Sequence, residues 1–501
     1  MGFSNGSVTT SSISGSTDAA LASPSDGQAL LYESSTQKWR NAAVPSVVAD
    51  NSVTASKLTT DSVITAKVSD GAITEPKLAI LNTPSTNQIL SWDGSSMAWS
   101  TVASGTASAS SYRSVMAIVY SSGLNEPIRT SVTNTSTLTW VCDGLDDQTE
   151  INAAITAVAG LGGGQIKLVG PLFNISNKIE LQTQTWLSGG GFGTVIRATA
   201  SFNEGMVCLY GQSLAAASDP GTHLTKLSDL TLVGNSQSVH GVHYRASNGQ
   251  IFTSGTSSNP DPNHVVRDLY ITGCGNASFG GHGMWLEGPN LRAGKYSDIR
   301  MLAVRGCGVF IDGAVDSHYT NIEMGSSGSG GPLYSAASTA PIGHGFYISQ
   351  GDNNMFVSCK PWYSRGAGFY VRGTRNTFTG CQAQDNYSYG FHLVYGKNSF
   401  SNCQADSNGQ ANGDSARGRA GWYCAAELTT ITGCMSYDKQ EGASSSWEQL
   451  VGFQFTSGFL NSRVVGCITY GNGFTNNTGG SQSGVAGAGT TIDIASDANG
   501  R

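Results

Sequence analysis

The chain has 501 residues, more than one compact hydrophobic core usually serves, so several domains or an elongated repeat is expected. Glycine supplies 65 of the 501, about 13% against a usual ~7%, while charged residues reach only 12%, roughly half the usual share. The net charge of −7 comes with no dense run of Lys or Arg, which excludes tracking of a phosphate backbone, and no window approaches the ~18 apolar residues of a membrane span. Neither nucleic acid nor membrane insertion is therefore expected, and abundant Ser, Thr, Asn and Gly favour turns and short strands over surface helices.

The first residues, MGFSNGSVTTSSISG, show no basic start followed by an apolar stretch, so no signal peptide is visible. The ten cysteines lack CxxC pairs and zinc-like Cys/His spacing, and they are expected to be reduced, buried apolar residues rather than disulfides or metal ligands. No cofactor is implied.

Two repeats set residues 23–105 apart from the rest of the chain. GQALLYESSTQKW (Gly27 to Trp39) matches NQILSWDGSSMAW (Asn87 to Trp99) at a spacing of 60, with Leu30/Leu90, Tyr32/Trp92 and Trp39/Trp99 in register. Each predicts a strand, a polar turn and a second strand closed by Trp, a hairpin too small to be stable alone. Between them NSVTASKL (51–58), DSVITAKV (61–68) and GAITEPKL (71–78) repeat every ten residues, with apolar Val53/Val63/Ile73 and Leu58/Val68/Leu78 and a recurring lysine. Two apolar residues per unit cannot be buried usefully by one chain, whereas three copies wound about one axis would bury them. These units resemble the stalk segments of phage fibres, and the resemblance implies a homotrimer with residues 23–105 as its stalk and residues 1–22 as a virion-attachment segment.

A third repeat dominates residues 240–475, within a capped parallel β-helix expected over 106–475. Gly followed by apolar-x-apolar recurs as GVHY (241–244), GMWL (283–286), GVFI (308–311), GFYI (345–348), GFYV (368–371), GFHL (390–393), GWYC (421–424) and GFQF (452–455). GFYVRGTRNTFTGCQA (368–383) and GFHLVYGKNSFSNCQA (390–405) align without a gap. Each unit of about 22 residues predicts short strands separated by turns, with Phe369, Val371, Phe378 and Cys381 pointing inward. Phe391, Leu393, Phe400 and Cys403 should lie one strand spacing, about 4.8 Å, above them. The expected fold is all-β, a parallel β-helix or solenoid, with Cys359, Cys381, Cys403, Cys434 and Cys467 in one interior column.

Ahead of these rungs, CDGLDDQTEINAAITAVAGLGGGQIKLVGPLFNIS (142–176) predicts a helix capped by Thr149, with Ile151, Ala154, Ile155 and Val158 as its apolar face. LGGG ends it and QIKLV begins a strand. The segment resembles the opening of pectate-lyase-like right-handed parallel β-helices, especially bacteriophage tail spikes, where such a helix plugs the end of the coil. Asp146 and Asp147 read there as turn and cap residues. The resemblance implies a virion protein of the tail or fibre, made in the host cytoplasm and acting at the host cell surface. Its implied partners are two further copies, other virion proteins through the N-terminus, and a host surface polysaccharide.

Chemistry is less marked. GHG at 281–283 and 343–345 is shared with polygalacturonases, but their companion motifs are missing, and His282 and His344 read as turn residues. Counted from the ladder cysteines, Asp385 and Asp438 fall at one position two rungs apart, about 9.6 Å at 4.8 Å per rung, and Asp406 falls beside them. That spacing lies just beyond the ~6.5–9.5 Å of inverting glycosidases, so these three are the candidate catalytic acids of a glycoside hydrolase or lyase. The alternative is that Asp385, Asp406 and Asp438, with Asn386, Asn408 and Asn472, bond turn backbone. Trp362, Tyr363, Tyr387, Tyr389, Tyr395 and Trp422 are candidate sugar-stacking residues. Three readings stay open: a glycan-binding spike, a depolymerase, and a structural or head-decoration fibre without activity. Residues 476–501 read as a short Gly/Ser-rich segment with one strand, TIDI. The stalk argument predicts a solution mass three times the 52.0 kDa of one chain, and a monomer by light scattering would overturn it.

Overall fold

A computed structural model describes residues 20, 28–43, 88–92, 97–101, 115–122, 138–210, 222–245, 263–288, 291–328, 343–410, 418–438, 449–472, 480–483 and 486–496. Residues 1–19 and the ten-residue repeats at 51–78 lie outside them, as do the expectations placed there. The chain divides into two compact units, Met1–Ser104 and Gly105–Arg501, near the boundary read from the sequence.

In the first unit, both expected hairpins form. Gln28–Glu33 pairs antiparallel with Lys38–Ala43, and Gln88–Trp92 with Met97–Thr101. The tryptophans do not close their strands as the pattern suggested. The second strands begin at Lys38 and Met97, so Trp39 is the second residue of its strand and Trp99 the third. Trp39 lies opposite Tyr32, ring centroids 5.3 Å apart, whereas Trp99 lies opposite Leu90. Leu30, Leu31, Tyr32 and Trp39 stand 42–52% exposed, a large apolar surface for so small a module.

The second unit is a parallel coil. Each full turn gives one strand to an 11-stranded sheet and two strand segments to a 20-stranded sheet, so three strand segments surround one core. The strands of successive coils pair in parallel, for example Phe369↔Phe391 and Phe378↔Phe400, with register shifts at Ile311/Asp312 and Val464/Cys467. Inside, like residues stack as the 22-residue alignment predicts. Phe356, Phe378 and Phe400 have centroids 4.5 Å apart in sequence, and Phe346, Phe369 and Phe391 repeat at 4.9 Å. The thiol column continues an aliphatic one: Leu230, Leu269, Ile299 and Ile322 precede Cys359, Cys381, Cys403, Cys434 and Cys467, all fully buried. All ten cysteines are free and buried.

One feature of the corners was not legible in the repeat. The residue before each core aliphatic or thiol is in the left-handed region: Asp229, Asp268, Asp298 and Asn321, then Ser358, Gly380, Asn402, Gly433 and Gly466, all with φ between 51° and 63°. One such residue bends an eight-residue strand such as Lys226–Val233 into two segments, and Asp, Asn and Gly tolerate that conformation best. Asparagines then lock the turns. Asn354 N–H donates to Asn376 Oδ1 at 2.9 Å, and Asn376 N–H donates to Asn398 Oδ1 at 2.8 Å. At another corner, Asn386 and Asn408 lead to Gln449, which donates to Asn472.

The helix Gln148–Gly160 covers the first coils through Ile151, Ala154, Ile155 and Val158, the face expected. Thr149 does not cap it, because the helix begins one residue earlier and Thr149 lies in its first turn. Asp147, in the flanking position, instead turns its carboxylate back to the N–H groups of Gly144, at 2.8 Å, and Asn174, at 2.6 Å. The coil also continues past 475. Gly480–Ser483 pairs with Val451–Phe455, and Thr491–Ser496 with Arg463–Tyr470, so the last segment adds a further turn through backbone pairing rather than through the Gly-apolar motif.

The Asn376 amide bonds the preceding turn twice, accepting from Asn354 N–H and donating to Gly351 C=O at 2.8 Å. Asn376→Ala strands both buried groups, at about 1–3 kcal/mol each. Its unfolding free energy should fall by about 2–6 kcal/mol in urea titration, and an unchanged midpoint would remove the ladder as a source of stability.

Candidate functional site

The candidate residues lie on the outside of coils that are filled within, and the corner geometry sorts them. After Lys360–Trp362 the chain turns at Tyr363, one coil later at Asp385 and one coil later at Ser407, with φ of 50°, 50° and 54°. Backbone bonds from Tyr363 N–H to Gln384 C=O and from Asp385 N–H to Asp406 C=O set these residues in one column, and Ser407 N–H to Tyr437 C=O adds Asp438. Asp385 and Asp438 therefore stand two coils apart with Ser407 between, as the sequence spacing implied. Asp406 belongs to the adjacent column, between Gln384 and Tyr437.

The three acids are nearly closed off, at 5%, 1% and 6% exposure for Asp385, Asp406 and Asp438. Their oxygens accept hydrogen bonds within the fold: Asp385 from the Gln384 amide at 3.0 Å, Asp406 from the Ser407 hydroxyl at 2.8 Å, and Asp438 from Gln449 N–H at 2.7 Å. Burial first, then the Asp406 charge, pushes the Tyr437 phenol up to about 12. Its ring stacks on Tyr470 at 4.8 Å. Asn386, Asn408 and Asn472 are buried ladder members donating to main-chain carbonyls.

The aromatics separate into four environments. Trp422 is a correction: it is fully buried, stacked on Phe391 at 4.0 Å and facing Phe453 at 5.6 Å. It occupies the first apolar position of its Gly-apolar-x-apolar unit, and strand alternation turns that position inward. Tyr389 sits on the outer side of the 11-stranded sheet with His392 and Tyr423. Tyr395 is 49% exposed on another corner, with Arg372 over its ring at 5.4 Å, beside a cleft of about 330 Å³ that includes Thr374, Lys397 and Glu427. Trp362 is half-buried, donating to Glu323 at 3.1 Å and meeting the 44% exposed Tyr363 edge-on at 5.6 Å. Tyr363 and Tyr387 come together around a cleft of about 170 Å³ that Ser326, Ser327 and Arg365 complete.

Sequence reasoning missed two sets. Arg365 lies over Tyr387 at 5.1 Å, and extending the gapless 22-residue alignment backward would have placed it directly beneath. The other is a column of outward rings, His243, Trp285, Phe310, Tyr347, Tyr370, His392 and Tyr423, paired strand to strand. These are the middle residues of the Gly-apolar-x-apolar units. Phe310 and Tyr347 are only 7% exposed and His243 is buried, so much of this stripe is packed rather than open.

His282 and His344 bond backbone, as the turn reading expected: Nδ1 accepts from Cys307 N–H at 2.9 Å and from Ala367 N–H at 3.0 Å. Among the described residues, Cys142, Asp147 and Glu150 bring three potential metal-ligand atoms within 4.8 Å of one another. The Asp147 carboxylate there already accepts from two backbone N–H groups. No helix among the described residues is long and apolar enough to cross a membrane.

A family model for right-handed β-helix regions matches residues 246–431, and the fold of the second unit is a right-handed parallel β-helix. Among solved structures it is similar to the A-module of a mannuronan C-5 epimerase from Azotobacter vinelandii, at 16% identity over 70% of this chain and 96% of that one, TM-score 0.39. It is similar to the Dettilon tailspike protein at 10% identity over 71% and 67%, TM-score 0.47, and to ORF18 of Geobacillus virus E2 at 13% over 77% and 75%, TM-score 0.37. No curated protein matches it.

Burial holds His282 and His344 down at about 3, below the 6.5 of a free ring. As pH falls through about 6.5 the unfolded chain takes up these protons and the folded chain does not, so stability is full above that pH and is lost toward pH 3. His282→Asn and His344→Asn, which can keep an acceptor near Nδ1, should reduce the slope of unfolding free energy between pH 6.5 and 4. An unaltered slope in the double variant would exclude these rings as its source.

Proposed function

We propose that the chain is the subunit of a bacteriophage tail spike or fibre, a homotrimer joined to other virion proteins through its N-terminal segment. The outer surface of its coil binds a polysaccharide at the host cell surface. One observation carries the binding reading: Tyr363, Tyr387 and Tyr395 stand on the outside of coils whose other large rings are mostly packed, and arginines lie over Tyr387 and Tyr395. A sugar presents an apolar C–H face to such rings and hydroxyls to the polar groups around them. A coil repeating at about 4.8 Å offers an extended polymer one contact set after another along its axis. The viral setting rests on the stalk repeats and on the capped opening at 142–176, and the open apolar surface of the first hairpin supports burial against other copies.

Cleavage is the second reading, favoured by the column that carries Asp385 and Asp438 with Asp406 alongside. General acid–base catalysis contributes about 10²–10⁴-fold. Asp385→Asn or Asp438→Asn should therefore cut the release of reducing ends from host polysaccharide at least a hundredfold, and equal release would dismiss the pair. For binding, Tyr363→Ala and Tyr387→Ala should each weaken retention by roughly 2- to 12-fold, the worth of one aromatic contact. Trp422→Ala is the contrast. It should lower stability by about 3–5 kcal/mol through a core cavity. If both tyrosine variants bound host polysaccharide as tightly as the parent chain, the aromatic corner would not be the binding surface.

A further inference from the structure

We infer that the cleft between Tyr363 and Tyr387 is a subsite for a carboxylate-bearing sugar, with Arg365 as the anion partner. This rests on the glycan-binding reading above and names the class of glycan.

Arg365 is the only charged residue lining the cleft among the described residues. Its main chain is fixed, since Arg365 N–H donates to Ser327 C=O at 2.9 Å, and its Cβ sits against Gly328 and Gly343. Arg245, Arg300 and Arg375 each face a carboxylate. No carboxylate among the described residues lies within ion-pair distance of Arg365, whose recorded partner is the face of Tyr387. A guanidinium laid over a ring keeps its N–H fork available at the edge, and that fork matches a planar carboxylate through two parallel hydrogen bonds.

The wall of the cleft supplies an independent indication. Ser327 is fully buried and lines the cleft, yet its Oγ has no hydrogen-bond partner among the described residues. A buried hydroxyl left unpaired is costly, and a ligand oxygen at that wall would satisfy it. Size agrees with one sugar ring, because about 170 Å³ is well under the ~300–1,000 Å³ of drug-sized pockets. Tyr363 and Tyr387 provide ring faces, Ser327 a hydroxyl, and Arg365 one positive charge. One cation suits a monoanion such as a hexuronate better than a phosphate dianion. On a chain of net charge −7, such a local counter-charge favours the approach of an acidic polymer.

The test uses the full chain on an array of neutral and acidic bacterial surface polysaccharides, each acidic one printed beside its carboxyl-reduced copy. The expected result is retention of carboxylate-bearing glycans. Affinity should fall roughly 10- to 100-fold on carboxyl reduction and by a similar factor in Arg365→Ala, with Arg365→Lys between. Arg365→Ala keeps the Cβ that packs on Gly328. If its melting temperature nevertheless drops, Arg365→Gln, which keeps the stem, is read in its place. Glycans that bind equally well after carboxyl reduction, or equally well to the Arg365 variants, overturn the subsite and leave glycan binding standing. Retention of no polysaccharide at all overturns both.

Discussion

The constraint on which the coil depends is the parallel pairing of each turn with the next. A strand in the middle of the column has its N–H and C=O groups satisfied by the coils on either side, so every coil must present strands of the same direction, register and spacing. A slip of one residue would exchange inward and outward side chains over the whole rung. The core enforces that register. Phe356, Phe378 and Phe400 lie flat on one another at 4.5 Å, a separation set by the backbone and well suited to stacked rings. The asparagine ladders add a polar lock, because an amide held between two turns by N–H and C=O groups has no equivalent partner in a shifted register.

The same repetition creates an edge at the first coil that the helix Gln148–Gly160 covers. Its buried face meets the strands Val115–Tyr120, Gly164–Val169 and Ile179–Leu181. Covering matters because an open row of strand N–H and C=O groups is a template for unwanted pairing. Asp147 ties helix and coil together by accepting from Asn174, one strand beyond. Burial raises its pKa, while the two backbone donors oppose that shift.

Much of this was legible in the sequence. The inward residues announce themselves through Gly-apolar-x-apolar, the gapless 22-residue copies fix their register, and the helix face follows from its apolar spacing. What could not be read is conformational. Nothing in the local pattern marks Asp385 as a left-handed corner residue, a position that favours Asp, Asn or Gly for reasons of backbone strain. Its acidity is therefore weaker evidence of chemistry than its place in a column suggested. Trp422 was readable and misread, since the alternation that turns Phe391 inward turns Trp422 inward as well. The final turn escaped notice because Gly480–Ser483 joins the coil by main-chain pairing and carries no motif.

Outside the coil the rule of like over like is relaxed, and this is where recognition can be built. Corner bonds align Gly328, Arg365, Tyr387 and Gly409 in one outward column, with Ser327, Ser364, Asn386 and Asn408 beside it. Glycine below and above leaves the Arg365–Tyr387 pair without side-chain neighbours of its own column. In the next column the asparagine ladder gives way at Ser364 and Ser327 to two buried hydroxyls that have no partner among the described residues. The cleft thus arises where two ladders break together. A uniform solenoid would have no such place, because identical residues stacked at one spacing fill every groove they form. On the proposed reading, a ligand at this corner would complete, from the outside, hydrogen bonds that the ladder supplies elsewhere within.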